Sequence, residues 1–538
     1  MAVRGVPGGN ANRPASGART LLEMPLYVPL LAALPALTMW TGNARQVPVS
    51  SGLPVVLLSG LFGLVALAGF SLLLRSLRRG ALPAAAASLA FFTFGRLGSS
   101  PITLAIGMLV VGGALLAIGI IARRLPTTAL RTWTFRANAF LSLVVVANVV
   151  AIGSSLPSGA PRVQVPGLEL DGAVASGRDV IYIVPDRYPS ETVLEDFYEF
   201  DNGGFTDALR TWGFSVDAGA RSNYGKTSHS LASTLNFEGV EELLAGRSPR
   251  ADDLGQLDAL VRDHQLGRVM RGLGYEYVHI GSWWEPTATS TSATTTLNRS
   301  QLGLHLGATT EFSLVFETST ALPSVSKVLR RLGLDGGVLS DDEFHRAYGD
   351  YGLSQLERMA ASPRGGRFIF AHILLPHPPF VFGADGEPSA PVEITDPEAP
   401  RAFIDQLHYL NDRLLPIVEA FLSVPEPDRP IMVIQADEGP TNAATLRDGF
   451  DWTNAPDSLL REKFGILKAI YIPSASGGTV QFPNDLTPVN TWRRILDEIA
   501  GIEFERRPDR SYVYPNDHDF YSLVDVTDRL SKSRPDSG

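Results

Sequence analysis

Val180-Ile181-Tyr182-Ile183-Val184-Pro185-Asp186 and Ile431-Met432-Val433-Ile434-Gln435-Ala436-Asp437-Glu438-Gly439 are built alike: each is an apolar run closed by an acid. Runs of this length and composition predict strands. In an open parallel sheet the carboxyl ends of the strands gather along one edge, which is where ligands bind. Two acids delivered to one edge call for a metal or a shared proton. A metal with a hydroxyl nucleophile beside it is the sharper reading.

Further strands are predicted at 275–281, 367–374 and 466–472. Between the strands lie amphipathic stretches at 257–273, 341–361, 400–422 and 490–500, with apolar residues three and four apart. Strand alternating with helix implies an α/β domain with a mostly parallel sheet and helices on both faces. Residues 178–530 are assigned to it. Residues 286–300 are rich in Thr and Ser and read as a polar loop, with a lid over the sheet edge as the functional alternative.

The front of the chain is of another kind. Up to Gly153 it carries twelve Arg, no Lys and one acid, Glu23, whereas the whole 538-residue chain has net charge −10, so the remainder is strongly acidic. Apolar runs at 21–40, 53–74, 82–94, 102–121 and 137–152 predict a transmembrane domain of about five helices over 1–153, since about 20 apolar residues cross a bilayer. Arginines cluster before the first run, after the second and after the fourth. Because Lys and Arg favour cytoplasmic loops, this places the N-terminus inside and the domain after the fifth span outside a cytoplasmic membrane. Residues 154–177, rich in Gly, Pro and Ser, read as a linker, and 531–538 as a disordered tail.

The composition also excludes chemistries. There is no cysteine, hence no disulfide and no thiolate ligand. The acidic back half has no basic stripe and is not expected to bind nucleic acid. The spans carry few ionisable groups of the kind that mark an ion path.

The hydroxyl candidate is Thr227, in Gly225-Lys226-Thr227-Ser228-His229, just before a helix-like run. A hydroxyl there sits where backbone N–H groups favour anions, although Thr is also an ordinary helix cap. Strand-Asp, a Gly-Lys-Thr-Ser segment about forty residues on, and a strand ending in an acidic pair before Gly together resemble the alkaline phosphatase superfamily. Within it they look most like the membrane-anchored, sulfatase-like transferases, which include lipoteichoic acid synthases and lipid A phosphoethanolamine transferases. The resemblance runs from about Asp179 to Tyr514.

It implies Asp186, Thr227 and Asp437 as metal ligands, Thr227 also as the nucleophile that becomes transiently phosphorylated, and His377 as the substrate-side histidine. Glu438 departs from the family's Asp-His-Gly. Counted as a ligand, it makes the set all oxygen, which favours Mn²⁺ or Mg²⁺ over Zn²⁺ for the one divalent ion. His377 also suits proton transfer to a leaving group. Arg187, Lys226, His229, Trp283, Trp284 and His372 are candidates for substrate contact, with a satisfied core position the plain alternative for His372. The expected substrate is a lipid or glycan headgroup at the membrane surface. A sulfatase-like hydrolase and a binding protein that has lost its metal stay open as alternatives. The sequence carries no signal of oligomeric state.

Overall fold

The structure is a computed structural model that describes residues 23–97, 101–155, 177–299, 309–334, 339–474, 476–501 and 504–531. The predicted linker and tail fall almost wholly outside these residues. The chain divides into two compact units, Met1–Leu156 with Phe312–Val338, and Pro157–Glu311 with Leu339–Gly538.

In the first unit five helices follow one another: α1 (Tyr27–Gly42), α2 (Val49–Leu74), α3 (Leu77–Thr93), α4 (Pro101–Arg124) and α5 (Thr127–Ser155). Among the described residues, Val49–Leu74, Ile106–Arg124 and Thr127–Ser155 are long and apolar enough to cross a membrane, while Tyr27–Gly42 is apolar but shorter. α3 is the weak run, Ala-rich and only 17 residues long. One assignment from sequence is corrected here. Residues Phe312–Val338, placed in the α/β domain, cluster with the helical unit. Their two helices, Glu311–Thr318 and Leu322–Arg331, bring Phe312 and Phe316 into apolar clusters with α1, α2 and α3 residues.

The second unit is built on a seven-stranded sheet of order β2-β9-β8-β1-β5-β3-β4. Its strands are β1 (Val180–Pro185), β2 (Ser215–Val216), β3 (Glu276–Ile280), β4 (Thr295–Leu297), β5 (Arg367–Ile373), β8 (Ile431–Gln435) and β9 (Lys468–Tyr471), with β6 (Phe380–Phe382) and β7 (Pro388–Val392) forming a separate hairpin. From β8 through β1, β5 and β3 to β4 every pairing is parallel; β9 is antiparallel to both its neighbours. The sheet is mixed, and mostly parallel as expected.

Period-2 geometry divides β1 between two cores. Ile181 and Ile183 face one cluster with Leu353, Leu407 and Leu414, from α9 (Asp341–Ala360) and α10 (Ala399–Leu422). Val180, Tyr182 and Val184 face another. That side holds Leu231, Leu257, Leu266 and Trp492, from α6 (Thr227–Asn236), α7 (Gly255–Arg262), α8 (Gln265–Gly272) and α11 (Pro488–Ala500). A wholly buried strand therefore reads as an unbroken apolar run. Truncating Phe370, fully buried in the second core, to Ala would cost about 3–5 kcal/mol.

Two local readings need amendment. The single helix expected over 257–273 is broken: α7 stops at Arg262, and His264 caps α8 by accepting from Gly267 N at 3.0 Å. The Thr/Ser-rich loop is ordered. Thr295–Leu297 forms edge strand β4, and Thr287, Ser290, Ser292 and Asn298 are buried. β-branched threonine suits a strand as well as a loop, and a polar composition did not reveal which.

Candidate metal centre

The sheet brings the two diagnostic acids together. β1 and β8 pair with Ile183 opposite Ile434, and three more residues along that register lead to Asp186 and Asp437. On the other side of β1, Val184 lies opposite His372 of β5. Asp186, His372 and Asp437 are all buried, and one ligand atom from each lies within 4.8 Å of the others. His372 Nε2 and Asp186 Oδ2 are 3.3 Å apart.

α6 closes the site. Thr227 is its first residue, half-buried, and its side chain draws the Asp437 carboxyl's pKa down. One turn later, Ser230 Oγ donates to the Asp437 carbonyl at 2.6 Å. The helix is thereby pinned to the strand end that it serves.

The electrostatics suit a cation. Burial and the negative charges of Asp186 and Glu438 push the Asp437 carboxyl up, opposed by His372 and Thr227. Burial acts on Asp186 in the same sense, but His377, His372 and Arg187 outweigh it and hold that carboxyl well below its usual range. Asp186 Oδ1, Asp437 Oδ2 and His372 Nε2 are each buried without a hydrogen-bond partner. Unsatisfied buried acceptors are costly, and a divalent metal ion held by these three residues would satisfy them. The donor set revises the sequence argument, because with His372 in the cluster the ligands are no longer all oxygen. Imidazole admits Zn²⁺ as readily as Mn²⁺.

Glu438, expected as a ligand, stands outside that cluster. Arg187 Nε holds its Oε1 at 3.1 Å and Lys463 Nζ its Oε2 at 3.0 Å. Burial lowers the pKa of Lys463, and Glu438 opposes that shift. Arg187 is tied to both acids of the pair, since its backbone N donates to Asp437 Oδ1 at 3.1 Å. Its φ of 63° is left-handed, uncommon for a residue with a side chain. It also lines a cavity of about 580 Å³ with Pro376, Phe380, Phe403 and Pro440.

His377 is half-buried, and desolvation with Arg187 nearby brings its pKa down to about 3. Its Nδ1 hydrogen bonds the Pro378 carbonyl, so in the neutral ring Nε2 is an acceptor. The ring of Trp283 meets His377 edge-on at 5.8 Å, and Trp284 meets His372 at 5.8 Å. Each tryptophan thus lies beside one of the two histidines. Lys226 and His229 do not join the cluster. Lys226 pairs with Asp517 at 3.3 Å and lies over the Phe520 ring. His229 is enclosed by aromatics, stacked on Tyr514, with Nε2 donating to the Phe520 carbonyl at 2.8 Å. Burial brings its pKa down to about 4.

Sequence reasoning gave no role to Thr287. Its Oγ1 lies 2.9 Å from His372 Nδ1 and 2.8 Å from Ser282 Oγ. In the tautomer that protonates Nδ1, the proton is given to Thr287 and the Nε2 lone pair is directed at the two aspartates, as a metal ligand requires. Thr287 is in the segment read as a polar loop, and only the parallel pairing of β3 with β5 brings it to His372.

No protein-family model matches the chain, and no curated protein matches it in sequence. Among solved structures it is similar to the C-terminal periplasmic domain of EcEptC from Escherichia coli in complex with Zn, at 14% identity and a TM-score of 0.41 over 67% of this chain and 97% of that one. It is similar to the soluble domain of lipooligosaccharide phosphoethanolamine transferase A from Neisseria meningitidis, at 13% identity and a TM-score of 0.40 over 64% and 96%. The integral membrane form of that enzyme aligns over 84% of this chain and 88% of its own, at 11% identity and a TM-score of 0.34.

Proposed function

We propose that the protein is a membrane-anchored, metal-dependent phosphotransferase or phosphodiesterase, acting on a lipid or glycan headgroup outside the cytoplasmic membrane through a phospho-Thr227 intermediate. One observation carries the reading: Asp186, His372 and Asp437 form a buried cluster with ligand atoms within 4.8 Å of one another, and the helix that begins at Thr227 is tied to Asp437 through Ser230. A divalent ion held by these three residues would supply positive charge to nonbridging phosphate oxygens and would acidify the hydroxyl.

The protein's own groups do the rest. The Thr227 Oγ–P bond forms as the P–O bond to the leaving alcohol breaks, and His377 Nε2, an acceptor at rest, carries the hydroxyl proton to the leaving oxygen. A low pKa makes the protonated ring a strong acid in that second act. An acceptor hydroxyl or water then displaces Thr227, and the proton returns along the same route. Arg187, beside the cluster and lining the cavity, neutralises phosphate oxygens. Trp283 and Trp284 bound the side of the site near the two histidines.

The anchor suits a substrate confined to the same surface. Mn²⁺ or Mg²⁺ is proposed as the ion, with Zn²⁺ as the competitor that the imidazole admits. The test uses full-length protein in detergent, a chromogenic phosphodiester, each of the three metals, and Thr227→Ala as control. Metal-dependent release that vanishes in the variant supports the reading, and equal release from both proteins removes Thr227 from the chemistry. The Lys463–Glu438 pair favours a second reading, a binding protein of the same fold in which internal cations have taken over the metal's charge. Absence of any metal binding by the intact protein would select it.

A further inference from the structure

Residues 312–338 leave the chain of the α/β unit to pack within the helical one. Their attachment is specific. Phe312 packs with Leu37, Trp40, Ala44, Val47 and Ile152. Phe316 sits 5.7 Å from the Phe92 ring. Ala321 N donates to the Phe91 carbonyl at 2.8 Å, and Gly95 N to the Ser319 carbonyl at 3.2 Å. A Cβ at Gly95 would lie 2.3 Å from the Thr318 carbonyl oxygen, so the glycine permits the contact.

These contacts mark one end of the bundle: the end of α1, the start of α2, the end of α3 and the end of α5. Arg75, Arg78 and Arg79 lie where α2 passes into α3, and Arg123, Arg124 and Arg131 where α4 passes into α5. The basic junctions therefore occupy the other end. By the distribution of arginine, the segment lies at the outer end of the spans.

At that level runs the Leu322–Arg331 helix, with its apolar residues unpartnered. Val325, Val328 and Leu332 follow at three- and four-residue spacing along one face and are 42%, 45% and 69% exposed, and Leu334 just beyond is 57% exposed. Lys327 and Arg331 project from the other arc. Ser326, between the two faces, is buried and sets the helix's roll. A short helix with an apolar face, basic flanks and a place at the end of membrane spans is built to lie in a bilayer interface. A protein partner would explain the apolar face, but neither the basic arc nor the location.

We infer that the Leu322–Arg331 helix is a membrane-surface element, seated in the outer leaflet with Val325, Val328 and Leu332 among the acyl chains and Lys327 and Arg331 on anionic headgroups. Because the chain has no cysteine, the test is direct. Val328→Cys and Lys327→Cys, both at exposed positions, are made in the full-length protein, labelled with an environment-sensitive fluorophore and reconstituted into phosphatidylcholine vesicles with and without phosphatidylglycerol. The expected result is several-fold stronger quenching by spin-labelled lipid at 328 than at 327, with the reverse order for aqueous iodide. Adding Lys327→Glu and Arg331→Glu to the 328 probe should abolish any gain that phosphatidylglycerol gives. Equal quenching at 327 and 328, or shielding of 328 that appears only after another protein is added, would overturn the inference.

Discussion

Replacing Glu438 by Gln separates a ligand from a counter-ion. Glu438 is 2% exposed and its partner Lys463 is 4% exposed, with 3.0 Å between the charges on that side and 3.1 Å to Arg187 on the other. Removing one member of a buried pair costs about 3–5 kcal/mol, because the survivor is left charged and unsolvated. Arg187 is partly exposed and can turn to water, so the loss falls mainly on Lys463. Burial already lowers the Lys463 pKa and Glu438 opposes that shift, so in the variant the lysine loses what keeps it protonated. Adding Lys463→Met removes the stranded charge, and the double variant should recover most of the stability, to within roughly 1–2 kcal/mol of wild type. The assay is denaturant unfolding of the full-length protein in detergent, paired with calorimetric Mn²⁺ binding. A counter-ion predicts a large stability loss with metal affinity retained. If Glu438→Gln instead unfolds like wild type and loses metal affinity tenfold or more, Glu438 is a ligand and the placement argued from Arg187 and Lys463 is wrong.

Thr287→Val should weaken metal binding by about 10–100-fold through misorientation of His372, while Thr287→Ser retains it; the same calorimetric titration reads both, and equal affinities would dismiss the positioning role. Asp258, whose carboxyl is pushed up to about 6 by burial against a Ser228 bond that lowers it, holds its proton more tightly folded than unfolded. Its contribution is therefore present below pH 3.8 and lost as pH rises through about 6. Asp258→Asn should gain on wild type by roughly 2–3 kcal/mol between pH 4 and pH 7 in thermal unfolding, and a pH-independent difference would refute this. His279 runs the other way. Burial takes it from 6.5 to about 4, so its contribution is present above 6.5 and lost as pH falls through 4. Acid should cost roughly 3 kcal/mol at this site, a loss that His279→Gln removes from the stability profile over the same range.

The α/β architecture was legible because its signal is local. Val180–Val184 and Ile431–Ile434 announce strands buried on both faces by being apolar throughout, and the acids that follow sit at strand ends whatever the order of strands. What was not legible depends on that order. Nothing in Ala371-His372-Ile373 separates a core histidine from a ligand until β5 is known to lie beside β1, which puts His372 opposite Val184 and next to Asp186. Placing Glu438 needs the same knowledge. As a neighbour of Asp437 it shares the position in sequence, but successive side chains after a strand point to different sides, and the opposite side holds Lys463. Thr287 shows a composition rule overriding geometry, since a stretch of Thr and Ser looks like solvent even where Thr287, Ser290 and Ser292 are buried and hydrogen-bonded.

The placements of His372 and Glu438 have one physical consequence for the proposed centre. In the proposed centre Glu438 is committed to Arg187 and Lys463, which leaves one ligand fewer on the Asp437 side. In that proposal His372 would make up the number from the Asp186 side, with its ring held by Thr287. Charge balance then rests on a different footing from an all-oxygen set. Asp186, Asp437 and Glu438 bring three negative charges, Arg187 and Lys463 bring two positive ones, and a neutral His372 brings none. The residual deficit is one charge, which a divalent ion over-compensates to net positive. An excess positive charge beside Arg187, which lines a cavity, would be the field that an incoming phosphate diester meets, and it would be lost on exchanging Lys463 for Met with Glu438 left in place. That single variant should therefore weaken inhibition by inorganic phosphate more than it weakens metal binding; the opposite ordering would show that Lys463 acts on the protein's stability alone.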